Sequence, residues 1–184
     1  MKSVIIPAYN EISSIQAVVK GLYGVIGPDD EVLVIDDGSS DDTARQVREA
    51  GVTIISHPYN MGNGAAIKTG LRNAKGDIIV TMDADSQHDP GDISRLLEFI
   101  DKYDMGVGAR SNGQGARGVA NRVYNLLASY VTGRRVEDLT SGFRAIRADV
   151  AKRFIYLLPN GFSYPTTITL ALMKSGHSVK YVPI

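Results

Sequence analysis

Cysteine is absent from this chain of 184 residues, and histidine occurs only three times. Disulfides and thiolate metal centres are thereby excluded, and His57, His88 and His177 do not form a zinc-binding spacing. Long apolar runs are missing too. None approaches the roughly 20 residues that span a bilayer. A strand-like segment begins at Lys2 where a signal peptide would carry basic residues and an apolar core. The expectation is a cytoplasmic protein. Net charge is also lacking, since 20 Lys and Arg balance 20 Asp and Glu, but the balance hides an asymmetry. Residues 1–104 carry 9 basic and 17 acidic residues, or −8; residues 105–184 carry 11 and 3, or +8. An acidic half suits metal ions, and a basic half suits anions or an anionic membrane. Two solvated faces that attract each other are the alternative. The basic half has no heavy aromatic interleave, which disfavours single-stranded nucleic acid. What remains, 43% hydrophobic and 22% charged, is ordinary for a soluble globular chain long enough for one domain with a substantial core.

The first half alternates strand and helix patterns. Lys2–Ile6 reads as a strand ending at Pro7, and Glu11–Ile26 as a helix with Ile12, Ile15, Val18, Val19 and Leu22 at helical spacing. A strand at Glu31–Ile35 precedes a helix capped by Ser39 or Ser40 and running to about Ala50. Strands at Val52–Ser56, Asp77–Met82 and Met105–Gly108 alternate with helices at Gly64–Ala74 and Pro90–Tyr103. This pattern predicts a parallel, Rossmann-like sheet with helices on both faces. Ser111–Gly118 reads as a loop, Val119–Thr132 as a helix and Arg134–Phe143 as irregular and polar. A helix at Ser163–Lys174 and a strand at Ser178–Ile184 complete the chain.

The chemistry concentrates where strands end. Ile78–Met82 runs into Asp83-Ala84-Asp85. Carboxylates two residues apart on an extended backbone point to one side. At the carboxyl end of a strand in an open α/β sheet, that side faces the ligand crevice. Repulsion between Asp83 and Asp85 is relieved when they share a hard cation such as Mg²⁺ or Mn²⁺, with Gln87 adding a neutral oxygen. A solvated turn is the competing reading of Asp-x-Asp taken alone. After the first strand, Pro7-Ala8-Tyr9-Asn10-Glu11 brings Tyr9 and Glu11 towards a nucleobase pocket, or is a plain strand-to-helix connection. After the second, Asp36 and Asp37 suit ribose hydroxyls or a base edge, while Ser39, Ser40 and Asp41 suit helix capping. Asn60-Met61-Gly62-Asn63-Gly64 does not directly follow a strand, so it is not a dinucleotide fingerprint. Ile67 stands where a P-loop needs glycine, so Lys68 is either near the nucleotide or on a helix surface.

Together these segments resemble the family 2 glycosyltransferases of the GT-A fold. The residues that carry the likeness are Val-Ile-Ile-Pro-Ala-Tyr-Asn-Glu (4–11), Val-Ile-Asp-Asp-Gly-Ser-Ser-Asp (34–41), Asn-Met-Gly-Asn-Gly-Ala-Ala (60–66) and Met-Asp-Ala-Asp-Ser-Gln (82–87). Val-Gly-Ala-Arg (107–110) and Asp-Leu-Thr-Ser-Gly-Phe-Arg (138–144) are similar to dolichyl-phosphate mannose synthases and bacterial polyprenyl-phosphate glycosyltransferases. The resemblance implies one GT-A domain over 1–184, with a mostly parallel central sheet, a nucleotide-sugar and metal half at 1–108 and an acceptor half at 109–184. It implies that Pro7, Tyr9, Glu11 and Asp37, with Asp36, Lys68, Asp83 and Ala84 nearby, hold a donor such as GDP-mannose or a UDP-hexose. Asp83, Asp85 and Gln87 would hold Mg²⁺ or Mn²⁺. Arg110, Arg117 and Arg144 would face the phosphate of a dolichyl or undecaprenyl acceptor at the cytoplasmic face of a membrane. Asp85 and Asp138 are the catalytic candidates; Asp138 either orients the acceptor or is a turn residue paired with Arg135 or Arg144. Asn121 stands where the mannose synthases tend to have serine. The resemblance also leads to the expectation that the chain continues past Ile184 into a basic loop, and in some members into transmembrane helices. A family 2 enzyme acting on a sugar hydroxyl is the nearest alternative, and it would need Asp138 as general base. A non-catalytic nucleotide-sugar binding module and a nucleotidyltransferase fit the intact acid pair and the first turn less well.

Overall fold

The computed structural model describes residues 1–110 and 116–184, with side chains 116–119 outside the description. Seven strands among the described residues form one sheet: β1 (Lys2–Ala8), β2 (Glu31–Asp36), β3 (Thr53–Ser56), β4 (Ile78–Thr81), β5 (Met105–Ala109), β6 (Arg144–Arg147) and β7 (Val179–Pro183). Their order is β3-β2-β1-β4-β6-β5-β7. β1 pairs in parallel with β2 and β4, and β5 with β7; β6 lies antiparallel between β4 and β5. The chain therefore winds outward from β1 to β3 and then crosses back to β4. The junction of β1 and β4 is a topological switch point, where the loops diverge and leave a crevice.

The helices are α1 (Ile15–Leu22), α2 (Thr43–Glu49), α3 (Asn63–Asn73), α4 (Asp92–Leu97), α5 (Ala116–Thr132), α6 (Ala148–Arg153) and α7 (Tyr164–Lys174). Alternation along β1 sends Ile5 to one face of the sheet and Val4 and Ile6 to the other. Ile5 packs in a core with Ile67 and Leu71 of α3 and Leu172 of α7. Val4 and Ile6 join Ile15, Val18 and Leu22 of α1 and Ile93 and Leu96 of α4. Both faces are thus covered, as a mostly parallel sheet requires.

Several elements differ from expectation for local reasons. α1 starts at Ile15 rather than Glu11, because the preceding turn is tied to the neighbouring loop. The Glu11 N–H donates to Thr43 Oγ1 (2.8 Å) and the Ile12 N–H to Asp41 Oδ2 (3.3 Å). Ser39 and Ser40 do not cap α2. Ser39 Oγ accepts from the Asn10 N–H (2.9 Å), and the Ser40 N–H donates to Asn10 Oδ1 (2.9 Å). α4 is shorter than the expected 90–103 helix, and β1 includes Pro7. β6 and α6 had no sequence expectation. The expected loop at 111–118 falls outside the described residues from 111 to 115.

Candidate active site

The crevice at the switch point is a cavity of about 300 Å³. The end of β1 supplies Pro7, Ala8, Tyr9 and Glu11; Asp37 follows β2; and Asp83, Ala84 and Asp85 follow β4. Asn60, Gly62, Asn63 and Phe162 close it. Residues from all three of the first strand-end motifs converge on this one space.

Asp83 is the inner member of the acid pair and its side chain is 34% exposed; Asp85 is on the surface. Burial, reinforced by the charge of Asp85, pushes the Asp83 carboxyl above the usual carboxylate range, against the pull of His88, Arg110 and Arg144. A cation between the carboxylates would remove that penalty, so the donor set fits a hard divalent ion. Among the described residues no cluster of three His, Cys, Asp or Glu side chains is arranged for a metal. Asp83 and Asp85 therefore need further oxygens. Gln87 is exposed beside them and its N–H donates to Asp85 Oδ1 (3.0 Å). Gly142 lies hard against Asp83: a Cβ there would sit 2.6 Å from Asp83 Oδ2.

Asp37 is buried and does two things at once. Its oxygens accept the N–H groups of Met61 (2.9 Å) and Gly62 (2.8 Å), and Oδ1 lies 2.7 Å from His57 Nδ1. His57 Nε2 is in turn 2.9 Å from Thr69 Oγ1. Asp37 thus holds the 57–62 loop in place while forming a wall of the cavity. Gly62 is at φ 101°, in the region that favours glycine, and a Cβ on it would meet Asn160 O at 2.4 Å.

Three expected ligands are placed elsewhere. Asp36 is buried, accepts the Ser39 N–H (3.0 Å) and does not line the cavity. It holds the turn after β2. The ammonium of Lys68 donates to Leu158 O (3.1 Å) and to Asn160 Oδ1, so it fastens the 158–160 segment to α3 and does not reach into the cavity. Arg144 is 2% exposed. Its guanidinium donates to Ser141 O (2.7 Å), Leu139 O (3.1 Å) and Thr169 Oγ1 (2.6 Å). It braces the 139–141 turn from beneath and presents no face to an acceptor phosphate. Arg117 lies outside the residues whose side chains are described.

Arg110 stands at the end of β5, on the same edge of the sheet as the acid pair, and is half-exposed. Its N–H and Nε donate to Asp138 Oδ2 at 3.3 and 3.2 Å, and Nη2 donates to Thr140 Oγ1 at 3.2 Å. The other oxygen of Asp138 accepts the N–H groups of Thr140 and Ser141, both at 3.0 Å. Burial opposes ionisation of Asp138, but Arg110 and these N–H donors outweigh it and hold the carboxyl below the usual range. Asp138 pairs with Arg110, not with Arg135 or Arg144. Beyond Arg110 opens a groove of about 470 Å³ lined by Arg122, Asn125, Leu126, Arg135, Glu137 and Ile184 among others.

Sequence reasoning passed over Asn63, Phe162 and His88. Asn63 sits in the noted Asn60–Gly64 motif, which carried a usable signal. Phe162, 86% exposed at the cavity, carried none. His88 directly follows the acid motif and was weighed only as a zinc ligand.

A sequence profile described as glycosyl transferase family 2 matches residues 3–155. The chain belongs to glycosyltransferase family 2. Among its curated relatives are undecaprenyl-phosphate 4-deoxy-4-formamido-L-arabinose transferases. That of Edwardsiella ictaluri is 35% identical over 89% of this chain and 57% of its own length; that of Klebsiella pneumoniae is 35% identical over 88% and 56%. This family 2 chain therefore spans little more than half the length of those relatives. An uncharacterised protein of Methanocaldococcus jannaschii is 31% identical over 98% of this chain and 79% of its own. The fold matches glucosyl-3-phosphoglycerate synthase of Mycobacterium tuberculosis, solved with Mn²⁺, UDP and glucosyl-3-phosphoglycerate. The TM-score is 0.82 over 100% of this chain and 69% of that one, at 21% identity. The architecture is that of the GT-A glycosyltransferases.

Proposed function

We propose that this chain is an inverting, metal-dependent glycosyltransferase that moves a sugar from a nucleoside-diphosphate sugar, GDP-mannose or a UDP-hexose, to a polyprenyl phosphate. The observation that carries this reading is the meeting of the acid pair and Arg110 at one edge of the sheet. β4 and β5 both run antiparallel to β6, so their carboxyl ends, which carry the acid pair and Arg110, open on the same edge. Tyr9, Glu11 and Asp37 form the donor wall for base and ribose, with Pro7 and Ala84 shaping it. Asp83 and Asp85 hold Mg²⁺ or Mn²⁺, with Gln87 able to add its amide oxygen. Held there, such an ion would supply charge neutralisation for the departing diphosphate.

The state of Asp138 favours a phosphate acceptor over a sugar hydroxyl. A hydroxyl needs a general base. Asp138 is held ionised by donors on both oxygens, which makes it a weak base. A phosphate monoester, with a second pKa of about 6, already carries its charge near neutrality and needs positioning instead. Arg110, with Arg117 further along the chain, supplies the cationic fork for that positioning, and Asp138 sets the Arg110 angle. The names of the Edwardsiella and Klebsiella relatives point to the same acceptor class.

α5 supports a membrane-borne acceptor. It exposes Val123, Tyr124, Leu126, Leu127, Tyr130 and Val131, each at least half out of contact with the rest of the chain. From residue 105 to residue 136 the sequence has five arginines and no acid. An apolar helical face beside arginines suits the surface of an anionic bilayer. Among the described residues no helix is long and apolar enough to cross one.

The test is transfer of labelled sugar into an organic-extractable lipid, over a panel of nucleotide sugars, with polyprenyl phosphate supplied or withheld. Label in the lipid only when polyprenyl phosphate, Mg²⁺ or Mn²⁺ and an intact Asp83/Asp85 pair are present supports the proposal. Undiminished transfer in EDTA, or transfer only to neutral sugar hydroxyls, refutes it.

A further inference from the structure

The chemistry above makes no use of His88. Its side chain is 3% exposed, and among the described residues neither ring nitrogen has a hydrogen-bond partner. Unpaired polar groups in a protein interior are costly and uncommon. The ring is fixed in place by stacking on Phe143, with centroids 5.0 Å apart and planes 19° from parallel. So held, it aims Nδ1 at Asp83, 4.0 Å from Oδ2. The same carboxylate abuts Gly142, where a Cβ would lie 2.6 Å from Oδ2. Asp83 therefore sits in a slot with a side-chain-free wall at Gly142 and an imidazole edge at His88. Four ångströms is longer than a hydrogen bond. A small turn of the carboxylate closes the gap.

We propose that His88 is a positioning residue for the metal-ligating carboxylate: its Nδ1–H donates to one oxygen of Asp83 and leaves the other for the cation. The inference rests on the reading of Asp83 as a metal ligand. Outer-shell donors of this kind orient the ligand, and their loss typically lowers metal affinity about 10- to 100-fold. Phe143 holds the ring and Gly142 leaves room for the carboxylate, so the 142–143 backbone serves the same purpose from β6's side of the cleft.

The experiment measures Mn²⁺ binding by electron paramagnetic resonance, with UDP or GDP present, for the unaltered chain and three variants. His88→Phe keeps the stack and removes the donor; its Mn²⁺ affinity falls roughly 10- to 100-fold while the metal-free melting temperature holds or rises. His88→Asn, whose amide nitrogen overlays Nδ1, recovers part of the affinity. Asp83→Asn loses Mn²⁺ binding. In ¹⁵N spectra of the unaltered, metal-free protein, Nδ1 of His88 carries the proton. Normal Mn²⁺ affinity in His88→Phe beside a defective Asp83→Asn overturns the inference and leaves the metal reading standing. Normal affinity in Asp83→Asn overturns both. Should His88→Phe fail to fold, the spectra decide: a proton on Nε2 instead of Nδ1 sinks the inference.

Discussion

Arg144 and Arg110 occupy one motif-rich segment of the basic half and do opposite jobs, which gives the sharpest contrast between individual residues. Arg144→Ala strands two carbonyls and a hydroxyl in the interior and opens a cavity. It should destabilise the protein by about 3 kcal/mol or more, seen as a lower midpoint in urea. Arg110→Ala should lower that midpoint less, because Asp138 keeps the N–H donors of Thr140 and Ser141, and should weaken polyprenyl-phosphate use on the order of tenfold, with donor affinity intact. Equal loss of stability in both variants would remove the distinction. Gly142→Ala offers a second check. The added methyl collides with the Asp83 carboxylate, so Mn²⁺ affinity should fall while circular dichroism stays native; unchanged affinity would mean the carboxylate has room to move. The acid pair and the cavity wall were legible in sequence because each is a short polar motif directly after an apolar run. Asp36, Lys68 and Arg144 were not, because a charged side chain gives no local sign of whether it faces a ligand or ties down backbone. Asp36 holds its own turn, Lys68 reaches Leu158 and Asn160, and Arg144 reaches Thr169 on α7. Those partners are defined only by the fold.

Among the elements, the alternation of strands and helices over the first 109 residues is legible from hydrophobic period together with turn and cap residues, and the parallel pairing of β1 to β4 follows from it. β6 escaped because Arg-Ala-Ile-Arg has polar residues at both ends and only one strongly apolar side chain. It is a strand because β4 and β5 present open edges on either side of it. The junction of β5 and β7 carries a titratable clamp. Asp104 Oδ2 accepts the Ser178 N–H (2.8 Å) and Oγ–H (2.9 Å), with His177 Nδ1 3.3 Å away. Burial opposes ionisation of Asp104, but the Ser178 and His177 contacts prevail and hold its carboxyl below the usual range. A depressed folded-state pKa contributes stability above the unfolded value of about 3.9 and loses it as pH falls through the folded value. Asp104→Asn should therefore melt at a lower temperature than the unaltered chain at pH 7, and the difference should shrink as the solution is acidified below about pH 3.9. A difference independent of pH would assign the cost to packing instead.

On the scale of the whole molecule, the sheet's carboxyl edge carries an acidic cleft beside an arginine-lined groove, and the charge asymmetry of the sequence is the trace of that arrangement. The apolar face of α5 extends the basic side. Replacing Leu126 and Tyr130, 71% and 87% exposed, with glutamate should leave the fold intact and reduce co-sedimentation with vesicles containing anionic phospholipid. Binding of the unaltered chain should weaken as salt is raised. Co-sedimentation that ignores both the substitutions and the salt would place the membrane contact elsewhere.

The antiparallel placement of β6 has a consequence for how the protein is made. Thr81 pairs with Arg144, so the edge of β4 has no neighbour on that side until the ribosome has added the whole of β5, α5 and the turn after it. For those seconds of synthesis the nascent acidic half displays an unpaired, apolar strand edge, the kind of surface that recruits foreign strands. The burden of protecting it falls on the kinetics of β6 arrival, so slowed translation between residues 82 and 147 should lower the yield of soluble protein more than an equal delay after residue 150.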